Sequence, residues 1–153
     1  MNLINIGRGL FANSQAVLFF CTILSEVRSM WVRCNPNPLG KVTGDCVVRA
    51  LAIATDRSWR ETYRDLCRIG EINADLPNSN TVWGMYLREN GARQFLLPEA
   101  CPSCITIRAF CDRYPKGVYV IGTGSHAVAV IDGDWYDSWD SGNETPTYFW
   151  RVK

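Results

Sequence analysis

The pattern of apolar and polar positions predicts four helices before residue 115. The first is an apolar, alanine-rich run that opens at Cys46, and its apolar positions are too continuous for a solvent-facing strand. A capping box that opens at Ser58 starts the second helix, whose apolar stripe ends at Gly70. Asn80 or Thr81 caps the third. The predicted helices span residues 46–54, 59–70, 82–90 and 105–114.

Runs of β-branched and aromatic residues follow these helices and predict a sheet. Residues 127–131 are apolar throughout, which indicates a strand buried on both faces, and the turn at 132–134 returns the chain antiparallel to it. Four strands are predicted, at residues 118–121, 127–131, 135–137 and 148–152. Helices followed by strands indicate the α+β class, with a mostly antiparallel sheet of about four strands.

A cysteine, Cys46, stands in the first turn of the first predicted helix. There, the unpaired backbone N–H groups and the positive end of the helix dipole favour a thiolate over a thiol. A thiolate is the form that attacks carbonyl carbons. Free cysteines are also often buried for packing, so Cys46 taken alone is compatible with a structural role.

The chain's one histidine and a carboxylate follow Cys46 in the order that a thiol nucleophile needs. His126 precedes the 127–131 strand, and the hairpin brings Asp137 back to the level of His126, where it can hold the imidazole's orientation. Asp140 lies close after the same hairpin and is the alternative carboxylate. Each residue also has an ordinary structural explanation, so the prediction of a catalytic triad depends on their conjunction.

The segment that begins at Asp137 resembles an element of the papain-like cysteine peptidases. Asp137-Ser138-Trp139 is similar to the Asn-Ser-Trp sequence with which papain-type enzymes orient the histidine and shield it with an indole. Asp137 replaces the asparagine. The resemblance implies that Asp137 orients His126 and that Trp139 covers it.

The segment around Cys46 resembles the nucleophile helices of two groups within that superfamily. Its Cys-x-x-Arg-Ala sequence is similar to that of ovarian-tumour-type deubiquitinases, and the Asp45-Cys46 start is similar to the double-glycine leader peptidases. The likeness covers roughly Asn35 to the C-terminus. It implies a papain-like fold in which a central nucleophile helix packs on the sheet, with Asp45 in a supporting role.

The chain departs from papain-type enzymes at the oxyanion hole. Those enzymes carry a glutamine a few residues before the cysteine, and no glutamine stands between Gln15 and Cys46. The backbone N–H of Cys46 would supply one donor to the oxyanion. Asn35, Asn37 or Thr43 can supply the second donor, and we take Asn37 as the candidate.

Length and composition indicate a single domain at residues 30–153. The 153 residues, 47% of them hydrophobic and 20% charged, are enough for one sizeable core. A net charge of +1 with dispersed basic residues makes nucleic acid a poor candidate partner. We therefore expect a peptide or protein substrate, and the oligomeric state stays open.

The chain has an odd number of cysteines, seven, and its core is large enough not to need disulfides. This usage predicts free thiols and a cytoplasmic location. Cys101 and Cys104, with Cys111 beyond, have the spacing of a metal or redox pair. A closed zinc site needs four ligands and a redox motif needs a strand before it and a helix after it, so loop thiols are predicted, with no metal and no cofactor.

Residues 1–29 are predicted to be an N-terminal extension, either a non-native start or a weak hydrophobic leader. The apolar stretch at 16–24 is shorter than the roughly 20 residues that cross a bilayer, so no stable membrane insertion is expected. Secretion through such a leader is the alternative to a cytoplasmic location.

Together these features predict a thiol-dependent hydrolase, a cysteine peptidase or isopeptidase, that cleaves an amide bond through Cys46, His126 and Asp137. A thioester acyl-enzyme would be its intermediate. The alternative is a catalytically inactive papain-like module that binds a partner or a host protein.

Overall fold

The computed structural model describes residues 29–97 and 104–153, which form four helices and one six-stranded mixed sheet. This confirms the α+β class. The elements in chain order are β1 (Trp31–Arg33), α1 (Cys46–Thr55), α2 (Trp59–Asn73), α3 (Asn80–Glu89), β2 (Arg93–Leu96), α4 (Ile107–Arg113), β3 (Val118–Gly122), β4 (Ala127–Ile131), β5 (Asp134–Asp137) and β6 (Tyr148–Arg151).

The sheet has the strand order β1-β5-β4-β3-β6-β2, in which β1 runs parallel to β5 and every other neighbour is antiparallel. The prediction of about four strands, all following the helices, is wrong. It missed β1, which is only three residues long, and β2, whose four residues are all exposed. Neither strand carries the apolar run or the alternation by which a strand is recognised in a sequence.

The sheet lies between two helical layers. Val120 and Ala129 belong to the core that α1, α2 and α3 cover, whereas their neighbours Ile121 and Val128 belong to the core that α4 covers. Side chains of a strand alternate between its two faces, so helices on both sides require apolar residues at every position. This confirms the prediction that the 127–131 strand is buried on both faces.

The third helix begins with a different cap from the one predicted. The Ser79 hydroxyl accepts a hydrogen bond of 3.2 Å from the backbone N–H of Val82, so Ser79, and not Asn80 or Thr81, is the N-cap of α3. The capping box at Ser58 is confirmed. Adjacent polar residues made the choice of cap ambiguous in the sequence, since only backbone geometry tells which one precedes the helix.

The second helix does not stop at Gly70 but continues to Asn73. A Cβ atom at residue 70 would lie 2.6 Å from the carbonyl oxygen of Asp75. Gly70 therefore permits a close backbone approach inside the helix, and the left-handed residue that ends the helix is Ala74.

Some sequence predictions fall outside the described residues. They are the apolar stretch at 16–24, the extension up to residue 28, and Cys101. Ser29, which the sequence analysis assigned to the extension, is buried, and its hydroxyl donates to Asp112 at 2.6 Å. No helix within residues 29–97 and 104–153 is both long and apolar enough to cross a membrane.

Removal of the Ser79 hydroxyl tests the cap assignment. We expect Ser79→Ala to lower the free energy of unfolding by about 1 kcal/mol, because a first-turn N–H of α3 loses its acceptor. Thr81→Ala is the matched control, since Thr81 is exposed and lies inside the first turn. Urea denaturation of the two variants measures both changes, and equal destabilisation would contradict the assignment.

Candidate active site

Cys46 is the first residue of α1, as the sequence predicted. Helix α1 has little polar surface, because its residues apart from Arg49 are apolar or small. It packs against β4 and the helices α2 and α3. Packing on β4 directs the helix N-terminus to the start of that strand. Cys46 is half-buried there and holds a free thiol.

His126 and Asp137 meet beside this helix end. His126 directly precedes β4, and Asp137 is the last residue of β5, which the turn at Asp132 and Gly133 pairs antiparallel with β4. Both turn residues have positive φ, as a two-residue hairpin turn requires. His126 Nε2 donates to Asp137 Oδ2 across 2.6 Å. Nδ1 is then the ring nitrogen left for the sulfur of Cys46.

The surroundings of Cys46 favour its thiolate. Burial opposes ionisation, but hydrogen bonds to His126 and to the backbone of Ala127 and Val47, together with the charge of the imidazolium, outweigh it and lower the pKa of the thiol. Backbone groups that lower a thiol's pKa are N–H donors, so the main-chain N–H groups of Ala127 and Val47 favour the ionised sulfur. A thiolate with such donors is an activated nucleophile.

The surroundings of His126 favour the imidazolium. Burial alone would lower its pKa, but hydrogen bonds and charge attraction from Asp137 and Cys46 raise the pKa to about 9. The lowered pKa of Cys46 and the raised pKa of His126 both favour the thiolate–imidazolium pair over the neutral pair. Such a pair is the resting state that a thiol nucleophile and its general acid require.

Trp139 contacts His126, whereas the partners of Asp140 are other residues. The indole of Trp139 is 5.3 Å from the imidazole of His126 between ring centroids, and the residue is 45% exposed, so it covers one side of the histidine. The Asp140 carboxylate accepts from Trp135 and Gly142 and faces Arg108 at 3.7 Å. Asp137, and not Asp140, is therefore the carboxylate that reaches the histidine.

Asn37 and Asp45 belong to a cluster behind the nucleophile. The Asn37 amide donates to Asp45 Oδ2 at 3.0 Å, and the indole N–H of Trp59 donates to the same oxygen at 2.9 Å. Asp45 Oδ1 forms an ion pair with Arg49. Asn37 is thus placed to hold Asp45, and it does not line the pocket described below.

A pocket of about 180 Å³ opens beside Cys46 and His126. Of its described lining residues, Asn78 and Asn80 carry side-chain amides. Asn80 Oδ1 accepts from the indole N–H of Trp83 at 3.0 Å and from the hydroxyl of Tyr148 at 3.1 Å. Because the indole can only donate, the oxygen of Asn80 must face it, which leaves the NH₂ group without an acceptor among the described residues.

Close packing holds the wall that supports Asn80. A Cβ atom on Gly122 would lie 2.5 Å from the Tyr148 ring, so only glycine allows the ring to lie against the end of β3. The same ring stacks on Trp83 at 5.7 Å. Tyr148 is therefore fixed where its hydroxyl reaches Asn80.

Two residues of this site are not predicted from the sequence to belong to it. The sequence predicts Asn80 only as a possible helix cap, and nothing in its sequence neighbourhood indicates that it lines a pocket with Cys46. Arg49 stands out in the sequence only through the Cys-x-x-Arg-Ala resemblance. It is the single charged residue of α1, and a lone charge in an apolar helix is a sequence signal for a buried ion pair.

Cys34 and Cys111 differ from Cys46 in the direction of their pKa shifts. Burial raises the pKa of Cys34, and burial with the nearby charge of Asp112 raises the pKa of Cys111 to about 12. Cys34, Cys67 and Cys111 hold free thiols. No group of three or more histidine, cysteine or carboxylate side chains within 29–97 and 104–153 could hold a metal ion.

The single histidine allows a direct test of the electrostatics by NMR. We expect the imidazole of His126 to titrate near pH 9, and Asp137→Asn to move its pKa down toward 6.5, because the imidazolium loses its closest anion. A raised pKa means that protonated His126 stabilises the fold fully below about pH 6.5 and that this stabilisation is lost as the pH rises through 9. Asp140→Asn is the control and should leave the titration unchanged; an ordinary pKa in the wild type would contradict the ion pair.

Comparison with known proteins identifies no relative. No protein-family model matches the chain, and no curated protein or solved structure is significantly similar to it. Its function therefore has to be inferred from the geometry around Cys46.

Proposed function

We propose that the protein is a thiol-dependent hydrolase that cleaves an amide bond in a peptide or protein. Cys46 is the nucleophile, His126 the general acid and base, and Asp137 the group that orients His126. The observation that carries this proposal is the alignment of the three side chains, with a 2.6 Å bond from His126 to Asp137 and the pKa values of Cys46 and His126 displaced toward an ion pair.

In acylation, the thiolate of Cys46 attacks the carbonyl carbon of the substrate and forms a tetrahedral oxyanion. The imidazolium of His126 then gives its proton to the leaving nitrogen, the C–N bond breaks, and a thioester and a free amine result. The pocket beside both residues gives room for the substrate chain at the reacting atoms.

In deacylation, neutral His126 takes a proton from water, and the hydroxide attacks the thioester carbon. The C–S bond breaks, the acid is released, and the thiolate and imidazolium are restored. Asp137 is buried and accepts a hydrogen bond from His126, so its role is to orient the ring and stabilise the positive charge on it.

The oxyanion needs hydrogen-bond donors in both steps. The backbone N–H of Cys46, at the open end of α1, is one candidate. We propose the NH₂ group of Asn80 as the second, in place of the Asn37 of the sequence analysis, because Asn80 lines the pocket and has this group without an acceptor among the described residues.

A papain-like arrangement is part of the proposal. It is supported by the nucleophile on the first turn of a helix that packs on the sheet, by a histidine at the start of a central strand, and by the indole of Trp139 beside that histidine. The papain-like arrangement can be tested by comparing the strand order of this sheet with that in an experimental structure of a relative.

Selective alkylation tests the nucleophile. At about pH 6, iodoacetamide should modify Cys46 much faster than Cys34 or Cys111, because only a thiolate reacts and the pKa values of the other two thiols are raised. His126→Ala should remove this advantage. Mass spectrometry of the modified peptides reads both rates. If Cys46 reacts no faster than the others, the protein is better explained as a binding or host-interaction module.

Peptide cleavage tests the reaction. The wild-type protein, incubated with a proteome-derived peptide library, should create new termini that Cys46→Ala does not create, since the thioester cannot form without the sulfur. His126→Ala should lower the rate by about a hundred- to ten-thousandfold. If Cys46 alkylates selectively but the peptide library stays intact, we would infer that the acyl group is transferred to an acceptor other than water. Addition of an amine as acceptor would then reveal the transfer product.

Asn80→Asp tests the oxyanion donor. Aspartate keeps an oxygen for Trp83 and Tyr148 but removes the NH₂ group, so kcat should fall by about a hundred- to a thousandfold while the melting temperature changes little. Asn90→Asp is the control, because Asn90 ends α3 away from the pocket. Wild-type kcat in Asn80→Asp would exclude this donor.

A further inference from the structure

The helix that carries Cys46 begins differently from the other three. In α2, α3 and α4, a serine or threonine at the N-cap accepts a hydrogen bond from a backbone N–H of the first turn. The N-cap of α1 is Asp45, a residue type that caps well, yet its carboxylate accepts no such bond.

The Asp45 carboxylate is turned away from the helix by other partners. One oxygen forms an ion pair with Arg49, one turn further along α1, and the other accepts from Asn37 and Trp59. Asp45 and Arg49 are 7% and 5% exposed, so this contact is buried. Arg49 also donates to the carbonyl oxygen of Thr43 at 3.4 Å, which fixes the loop before the helix.

This diversion leaves the first-turn N–H groups free for the nucleophile. A capping side chain binds the second or third N–H of a helix, which here belong to Val47 and Val48. The N–H of Val47 is one of the groups that lower the pKa of Cys46. A carboxylate that capped α1 would bind one of these N–H groups and would place a negative charge next to the sulfur.

The same guanidinium reaches the other end of the site. Arg49 Nη2 lies 3.8 Å from Asp137 Oδ1, while Asp137 Oδ2 accepts from His126. The backbone N–H of Ser138 donates to Oδ1 at 2.7 Å. Arg49 and the Ser138 N–H thus hold Oδ1 of Asp137, so that Oδ2 faces the imidazole.

We propose that Arg49 is a positioning residue for both halves of the site: its buried guanidinium withdraws Asp45 from the first turn of α1 and holds Asp137 toward His126. The proposal rests on the proposed thiol chemistry of Cys46. Arg49 itself touches neither the substrate nor the sulfur. It acts through the carboxylates of Asp45 and Asp137, which lie on either side of its guanidinium.

Among the described residues, the charged groups linked by contacts to His126 and Cys46 are Asp137, which accepts from His126, and behind it Arg49 and Asp45. Arg33 lies opposite Asp137 in the strand register and is exposed, so solvent screens it. The contacts that α2 and α3 make with the cluster and the pocket use uncharged side chains. A change at Arg49 should therefore appear directly in the reactivity of Cys46.

The test is the rate of Cys46 alkylation by iodoacetamide between about pH 5 and pH 8 in the full chain. In Arg49→Met, Asp45 is free to cap α1, and the rate at the acid end should fall about tenfold, as one unit of pKa produces in the thiolate fraction. Arg68→Met, which removes an arginine from an exposed ion pair with Glu89, is the control and should keep the wild-type profile.

A second substitution separates this role from simple support of the fold. Asp45→Ala in the Arg49→Met background removes the competing carboxylate together with the unpaired charge, so it should fold and restore alkylation at acid pH. Because removal of the unpaired charge also relieves destabilisation, alkylation is compared at a temperature at which circular dichroism shows all the variants to be folded. Arg49→Lys keeps a positive charge and should reduce the rate less than Arg49→Met, since an ammonium cannot hold two carboxylates in a fixed fork.

The outcomes distinguish this inference from the proposed function. If wild-type Cys46 shows no enhanced alkylation at acid pH, the thiol chemistry fails and the role of Arg49 fails with it. If wild-type Cys46 is enhanced and the Arg49→Met and Arg49→Lys profiles equal it, the chemistry stands and the role of Arg49 is overturned. If the Asp45→Ala, Arg49→Met double variant folds but its Cys46 alkylates as slowly as in Arg49→Met, the inference that Arg49 keeps Asp45 away from the helix start is overturned.

Discussion

The burial of β4 on both faces sets the position of every group at the candidate site. Helix α1 covers one face and α4 the other, so the strand can move neither along nor away from either layer without exposing apolar surface. The start of the strand carries His126, and the start of the helix packed on it carries Cys46. The antiparallel neighbour β5 then returns Asp137 to the same end. Core packing thus holds three side chains from distant parts of the chain together.

The charged groups at this end of the sheet form a row in which negative and positive groups alternate. Asp45 pairs with Arg49, Arg49 faces Asp137, Asp137 accepts from His126, and His126 pairs with Cys46, which adjoins Asp45 in sequence. Buried charges are costly unless each has partners. Each carboxylate here lies next to a cationic or protonatable partner, which offsets the cost of burying Asp45, Arg49 and Asp137 with so little solvent.

The sequence predicted the parts of the site that depend on local patterns. Cys46 at a helix start, His126 before an apolar strand and Asp137 after a tight hairpin are placed by residue periodicity and by turn chemistry within a few residues. It failed where the deciding partners are far away in the chain. The amide of Asn37 was free in principle to face the oxyanion, but it is bound to Asp45, and Asn80 came to the pocket through contacts with Trp83 and Tyr148.

By itself, the sequence determined the α+β class, the four helices, the central strands and the order of Cys46, His126 and Asp137 along the chain. These follow from side-chain spacing and capping residues, which act over one or two turns of chain. Only the tertiary structure decided the pairing of β1 with β5 and of β2 with β6, the diversion of Asp45 to Arg49, and the choice of Asp137 over Asp140. Those depend on which distant groups pack within hydrogen-bond distance, because a buried polar group takes whatever partner the packed core brings to it.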